Sequence, residues 1–426
     1  MKKITALRGM KDITPAQAPY WQHIERAARE VLAAYGYREI RPPVVERTDL
    51  FRRSVGEGTD IVDKEMYTFE DRDGDNLCLR PECTASCVRA AIEHNWLRDG
   101  GQRVWHMGPM FRYERPQQGR YRQFHQLDVE ALGFAGPDVD AELIALSRRL
   151  FTQLDLGPLT LELNCLGSRE AQSGYRERLV AYMSDNRDAL DEDSVRRLET
   201  NPLRILDSKS KDPAMVQLLA EAPAPVDHLD ETSAGHFEGL RAMLEEAHIA
   251  YRLNRRLVRG LDYYTGTVFE WTTEALGAQN AVCGGGRYDK LFAEIGGADA
   301  PAIGFAMGLE RLVALAEARE QDPPRDAANA YLLAVGDDAV SRALGVGEAL
   351  RDADLAVVVD AGAGSFKAKI KRADRSGARF ALILGAQEAS RGQLGVKDLR
   401  RETEQRNMAQ ADVADYLQRA LREPPA

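Results

Sequence analysis

Three stretches of this sequence gather side chains that handle charge. In LVRGLDYYTGTVFEW, Leu257 to Trp271, a fixed cation, an acid and two phenols (Arg259, Asp262, Tyr263 and Tyr264) crowd around two glycines. In FRYERPQQGRYRQFHQLDVE, four arginines fall close together: Arg112, Arg115, Arg120 and Arg122. A guanidinium is a planar fork that grips phosphate or carboxylate through paired hydrogen bonds. Arg112 stands at the end of an apolar run, where such a fork would point inward. Read alone, the loop is equally a solvated basic loop. Phe124 offers a ring on which a base could stack. Gln126, Asp128 and Glu130 alternate and so share one face of a strand, either a polar pocket floor or a solvent-facing sheet. In IGFAMGLERL, Gly304, Ala306 and Gly308 put small residues at every second position, which lets a ligand or another backbone lie flat on a strand. Arg311 follows in the first helical turn, near the positive end of the helix dipole, where an anion is favoured. The chemistry suggested is the handling of phosphate and carboxylate groups.

These residues need elements to hold them. YWQHIERAAREVLAAYGYREI reads as a helix ending near Gly36, followed by a strand in YREIRPPVVE whose prolines suit a strand end or edge. GDNLCLRPECTASCVRAAIEH reads as a strand, a Pro-bearing turn and a helix with Thr84 near its start. RVWHMGPMFRYE and YRQFHQLDVEALG form a long hairpin. DVDAELIALSRRLFTQL is a helix and LTLELNC a strand. From about residue 170 to 250 only short charged helices occur, which marks an inserted helical module. Strand character resumes through YRLNRRLVRGLDYYTGTVFEW and AVCGGGRYDKLF, and a helix follows IGFAMG. QDPPRDAANA is a linker. Beyond it, apolar strands (AYLLAVG, LAVVVDAG, ARFALILG) alternate with helices, as in a small α/β domain. The expected division is 1–325, interrupted at about 170–250, and 326–426.

The bulk composition excludes several classes. The chain has 426 residues, 44% hydrophobic and 29% charged, an ordinary globular balance. No apolar run approaches a membrane span, and MKKITALRGMKD has no apolar segment after its lysines, so no secretory signal is expected. Five cysteines without C-x-x-C spacing argue against disulfides and zinc, and fit a reducing cytoplasm. Cys83 and Cys87 could share a helix face but read best as small buried thiols. A net charge of −10 means that any nucleic-acid contact must come from local patches.

Taken together, these stretches resemble the class II aminoacyl-tRNA synthetases, and within them the histidyl-tRNA synthetase family. GYREIRPPVVERTDLF resembles class motif 1, the element that pairs subunits; MGPMFRYERPQQGRYRQFHQ resembles motif 2 and AIGFAMGLERL motif 3. RGLDYYTGTVFE and CGGGRYDKL resemble the two histidine-specific motifs. Cys83 and Lys290 stand where the family usually has glycine. The resemblance implies an α+β catalytic core, mainly an antiparallel sheet flanked by helices, with a helical insertion and a C-terminal α/β anticodon-binding domain. It implies a cytoplasmic homodimer acting on ATP, L-histidine and tRNA(His), with Mg²⁺ bridging phosphate oxygens and no dedicated protein cage for the metal. Arg112 and Arg259 would be the catalytic pair at the α-phosphate, both also contacting histidine. Arg120 and Arg311 would hold the outer phosphate, with the adenine between Arg311 and Phe124. Glu82, Thr84 and Gln126 would take the ammonium of histidine, Glu130 and Tyr264 its imidazole, and Tyr263 would wall the pocket. Arg115 and Gln117 would meet the tRNA acceptor end. Lys367, Lys369, Lys371, Arg372, Arg375 and Arg379 would form a basic stripe on the anticodon domain, where a run of this kind is otherwise a solvated helix face. A histidine-binding regulatory paralogue without tRNA charging is the alternative; such chains lose active-site arginines and the C-terminal domain, and this one keeps Arg112, Arg259 and Arg311.

Overall fold

The computed structural model describes residues 3–56, 59–117, 119–276, 280–319, 327–361 and 364–422. The chain divides into two compact units, residues 1–323 and 324–426. Of the expected linker, residues 321–326 lie outside the described residues.

The first unit is built on an eight-stranded sheet. Its order is Arg38–Glu39, Gln102–Phe111, Gln123–Leu132, Ala302–Gly308, Ala281–Arg287, Thr265–Thr272, Thr160–Cys165 and Arg252–Leu253. Only the outermost pair at each end is parallel; every inner pair is antiparallel. The hairpin runs in continuous register from Gln102 opposite Leu132 to Phe111 opposite Gln123.

Strand alternation assigns the two faces. Leu127, Val129 and Ala131 join Ile303, Phe305, Phe269 and Trp271 in the main apolar core. The helices Ala18–Ala34, Pro137–Gln153 and Leu309–Ala318 bury their apolar stripes on that face. Gln126, Asp128 and Glu130 are therefore left on the opposite face, which carries the site.

The stretch YREIRPPVVE is not one strand. Arg38–Glu39 joins the large sheet, whereas Val45–Arg47 forms the edge of a separate three-stranded sheet with Asn76–Leu79 and Tyr67–Glu70. Pro42 and Pro43 separate the halves, since neither has an N–H for a ladder. Their carbonyls are instead taken by the buried Arg80 guanidinium, at 2.9 and 3.4 Å.

Residues 169–246 are helical, and four of the helices open on a side-chain cap: Ser168, Asp191, Asp212 and Asp230 each accept from a backbone N–H in the first turn. Tyr175, Leu179, Met183, Ile205 and Leu218 pack into a core of their own. The last helix, Glu231–Glu246, instead buries Phe237, Leu240 and Leu244 in the main core.

The second unit has a five-stranded sheet in the order Val357–Val359, Ala330–Ala334, Phe380–Leu384, Gln393–Asp398 and Arg406–Ala409. The first three strands are parallel and the last two antiparallel. Those last two lie beyond the strands that the apolar runs mark. The basic stripe is also revised. Lys369 is buried and pairs with Asp360 at 2.8 Å, Arg372 pairs with the same carboxylate at 2.9 Å, and Arg379 pairs with Asp398 at 3.3 Å. Lys367, Lys371 and Arg375 remain exposed, one helical turn apart on Phe366–Arg375.

Candidate active site

The polar face of the large sheet floors a cavity of about 250 Å³. Its walls include Glu82, Thr84, Arg112, Arg120, Phe124, Gln126, Tyr263, Tyr264, Arg259 and Arg311. Glu130 lies against this wall, fully buried and bonded to Thr84. Arg115 and Gln117 are exposed in the hairpin loop, where they line a separate shallow cleft with Arg120.

The floor follows from cross-strand pairing of long polar residues with small ones. Gln126 faces Gly308, Asp128 faces Ala306 and Glu130 faces Gly304. A Cβ on Gly304 would stand 1.6 Å from Glu130 Oε2, so only glycine leaves room for that carboxylate. On the next strand, a Cβ on Gly284 would stand 2.2 Å from the Arg259 guanidinium.

Three buried carboxylates meet here: Glu82, Asp128 and Glu130. Glu82 accepts from the backbone N–H groups of Thr84 and Ala85, at 2.8 and 3.0 Å, and so satisfies the N-terminus of the helix Thr84–Glu93. Tyr263 donates to the same carboxylate at 3.5 Å. Glu130 accepts from the Thr84 hydroxyl at 2.6 Å and from the Tyr288 hydroxyl. Burial pushes Glu130 well above the ordinary carboxylate range, against the bonds from Thr84 and Tyr288. Burial likewise raises Glu82, against its two backbone bonds. Tyr263 and Tyr264 lie with ring centres 4.7 Å apart, and Tyr288 sits edge-on to Tyr263 at 5.6 Å.

Cations gather toward the mouth. Arg259 is held by Glu270 at 2.5 Å, and Arg112 donates to the Pro81 carbonyl at 2.8 Å while lying 5.2 Å from the Phe124 ring centre. Arg120 pairs with Glu114 at 3.2 Å, and Arg311 donates to the Ala281 carbonyl. Burial, and then the like charge of Arg120, pull Arg311 below its ordinary value, so an anion there would relieve both. The mouth continues into a larger cleft of about 680 Å³. That cleft shares Arg112, Arg120, Arg259 and Arg311 and adds Arg196, Arg197, Arg204 and Lys209 from the inserted module.

Sequence reasoning missed several contributors. Tyr288, inside CGGGRYDKL, is the second donor to Glu130. Glu270 was visible as the polar member of its strand's site-facing set. Glu310, which binds the His125 backbone N–H at 2.9 Å and its Nδ1 at 3.0 Å, gave no signal beyond its place before Arg311. Cys83 and Cys87 are buried free thiols 4.0 Å apart, and Lys290 pairs with Asp299 at the surface.

Comparison with known proteins gives the family. A family model described as histidyl-tRNA synthetase matches residues 9–312, and one described as an anticodon binding domain matches residues 329–420. A histidine–tRNA ligase of Nitrosomonas europaea is 55% identical over 415 residues, 97% of this chain and 98% of that protein. The crystal structure of apo histidyl-tRNA synthetase from S. aureus matches with a TM-score of 0.81 at 32% identity, covering 97% of this chain and 100% of that one. A Bacillus halodurans chain described as an ATP phosphoribosyltransferase regulatory subunit/histidyl-tRNA synthetase shares the fold, with a TM-score of 0.66 at 22% identity over 91% of this chain and 99% of its own. With one family model spanning most of its length and a relative of that identity along nearly all of it, the chain belongs to the histidyl-tRNA synthetase family.

Proposed function

We propose that this protein activates L-histidine with ATP, forming histidyl-adenylate and pyrophosphate, and then transfers the histidyl group to the 3′ end of tRNA(His). One observation carries the reading: a single cavity has buried acceptors at its closed end and four arginines at its mouth. A substrate with a cationic ammonium, a hydrogen-bonding ring and a reacting carboxylate fits that polarity. Glu82, Thr84 and Gln126 receive the ammonium. Glu130, oriented by Thr84 and Tyr288, and Tyr264 receive the imidazole, with Tyr263 as wall. An apolar analogue would leave these groups unpaired and be rejected strongly.

The chemical step is attack of the carboxylate on the α-phosphate. Both reactants are anions, and the transition state loads charge on the phosphoryl oxygens, so fixed cations and positioning are the main levers. Arg112 and Arg259 act at the α-phosphate, with Arg259 also reaching the carboxylate. Arg120 and Arg311 hold the outer phosphate, and the adenine lies between Arg311 and Phe124. Glu270 and Glu310 line the nucleotide side, oxygen donors of the kind a hard cation takes. Mg²⁺ carried by ATP would neutralise phosphate charge there. The regulatory alternative is not favoured, because Arg112, Arg259 and Arg311 are all present and converge.

The wider cleft, with the insertion's cations, suits the tRNA acceptor end, which Arg115 and Gln117 approach from the hairpin loop. The protein works as a cytoplasmic homodimer in this reading. The edge strand Val45–Arg47, with Val44 and Val45 exposed, is the segment that would meet the second subunit. No described helix is long and apolar enough to cross a membrane.

Histidine-dependent exchange of pyrophosphate into ATP tests the reading. The intact protein should catalyse it. Arg259→His should lower the rate on the order of 10² to 10³-fold with little change in histidine binding, the usual cost of losing one preorganised transition-state contact. A variant that exchanges at the wild-type rate would remove Arg259 from the mechanism.

A further inference from the structure

Asp128 is buried in the cavity floor and has no assigned task. Its residue is 1% exposed, and neither carboxylate oxygen meets a hydrogen-bond donor among the described residues. None of the neighbouring side chains donates to it in this arrangement. Ala306 faces it from one adjacent strand and His106 from the other. His106 Nδ1 is engaged with the Ile40 carbonyl, and its Nε2 is itself unpartnered. Arg80 gives its Nε and Nη1 to backbone carbonyls of Pro109, Pro42 and Pro43. A buried carboxylate left this way is costly and calls for a partner.

A second orphan stands two residues away on the same strand face: Gln126 Oε1 is also buried without a donor. Both residues line the same cavity as Glu82. Glu82 already gives each oxygen to a backbone N–H, so its capacity for a three-donor ammonium is reduced. Glu130, two residues to the other side, has its own partners in Thr84 and Tyr288. The uncommitted acceptors are thus Gln126 and Asp128, adjacent to each other and displaced from the ring-binding end.

We infer that Asp128 is a direct acceptor for the α-ammonium of the bound amino acid, joining Glu82, Thr84 and Gln126, and that it selects for a free amino group. This rests on the reading of the cavity as a histidine site. Burial, and then the nearby Glu82, raise Asp128 well above the ordinary carboxylate range, so a cationic group beside it would favour its charged form and an anionic carboxylate would not; the imidazole belongs to Glu130 and Tyr264. The ammonium is the remaining group, and the only one with three donors.

The test uses the full-length protein and two ligands, L-histidine and imidazolepropionate, which lacks the amino group, with affinities measured by calorimetry or by competition. Asp128→Ala should weaken histidine by about tenfold or more, the effect of removing a hydrogen bond to a charged group, while imidazolepropionate changes by less than about threefold. Asp128→Asn, which keeps one acceptor and the shape, should fall between wild type and Asp128→Ala for histidine. An unchanged histidine affinity in Asp128→Ala would overturn the assignment. Equal weakening of both ligands in both variants would also overturn it, since Asp128 would then support only the pocket's shape. Wild-type protein that neither binds histidine nor exchanges pyrophosphate would instead overturn the histidine-site reading, and the assignment with it.

Discussion

Replacing Gly304 by alanine should damage histidine recognition through one atom. Gly304 pairs directly with Glu130 across two central strands. The added Cβ would stand 1.6 Å from Glu130 Oε2 and 2.8 Å from the Val129 carbonyl. The carbonyl belongs to the sheet ladder and cannot retreat, so the carboxylate must. Its departure strains or breaks the bonds from Thr84 and Tyr288. Overpacking a core site costs about 1–3 kcal/mol, and a hydrogen bond to a charged group is worth about 1.5–3 kcal/mol. A displaced Glu130 that loses one such bond to the imidazole should raise the KM for histidine roughly tenfold to a hundredfold. The KM for ATP should move little, because no residue assigned to the nucleotide touches Glu130. Pyrophosphate exchange with each substrate varied in turn reads both numbers. Gly174→Ala is the control: it lies in the helix Arg169–Asp185 with nothing within 4 Å of its would-be Cβ, and alanine there should stabilise by about 0.5–1 kcal/mol. A Gly304→Ala enzyme with wild-type KM for histidine would show that Glu130 does not read the ring.

Burial, with help from the Arg80 cation, depresses His106 from 6.5 to about 4. The unfolded chain therefore binds a proton at His106 before the folded one does, so stability is lost as pH falls from about 6.5 toward 4, reaching about 2 kcal/mol by pH 5; urea unfolding of wild type and His106→Asn at pH 7 and pH 5 should show the gap between them shifting by that amount, and a constant gap would sink the argument. A chain ended after Arg319 should retain part of its adenylate formation while tRNA charging falls much further, an expectation refuted by a truncated, folded protein that charges tRNA as well as the whole. In the full chain, Lys367→Ala with Lys371→Ala should weaken tRNA binding and flatten its salt dependence, whereas Lys369→Ala should mainly destabilise the second unit by leaving Asp360 underpaired; equal tRNA effects with equal stability would contradict the division of the stripe. Sedimentation at working concentration should give a dimer, and a fully active monomer would refute the role given to Val45–Arg47.

Much of the site was legible because its signals are local. The alternation of Gln126, Asp128 and Glu130 fixes a face without any knowledge of the partner strand, and the small residues of AIGFAMG announce that something bulky lies across them. What failed to show depends on distance. YREIRPPVVE reads as a single strand until the partners are known, since nothing within it says that its halves serve different sheets. The guanidinium that holds its prolines, Arg80, lies 37 and 38 residues away. The basic stripe looked uniform because Asp398, which holds Arg379, follows it by 19 residues and Asp360, which holds Lys369 and Arg372, precedes the helix altogether. The strands Gln393–Asp398 and Arg406–Ala409 are short and mixed in polarity, so only pairing defines them.

Register links the core to the site. The same strand that carries Gln126, Asp128 and Glu130 toward the cavity carries Leu127, Val129 and Ala131 into the core. A slip of one residue against Ala302–Gly308 would exchange the two sets. Three polar side chains, two of them carboxylates, would then be forced into hydrocarbon, and three apolar ones would floor the pocket. Burying even one unpaired carboxylate in that way costs more than several kcal/mol, a large share of a domain's total stability. The hydrophobic core thus enforces the pairing that sets Gly304 opposite Glu130 and Ala306 opposite Asp128. Glu130 is in turn tolerated there because Thr84 and Tyr288 donate to it. The stability of the sheet and the geometry of the candidate floor rest on one register, which is why a mutation such as Gly304→Ala is expected to disturb recognition without unmaking the fold.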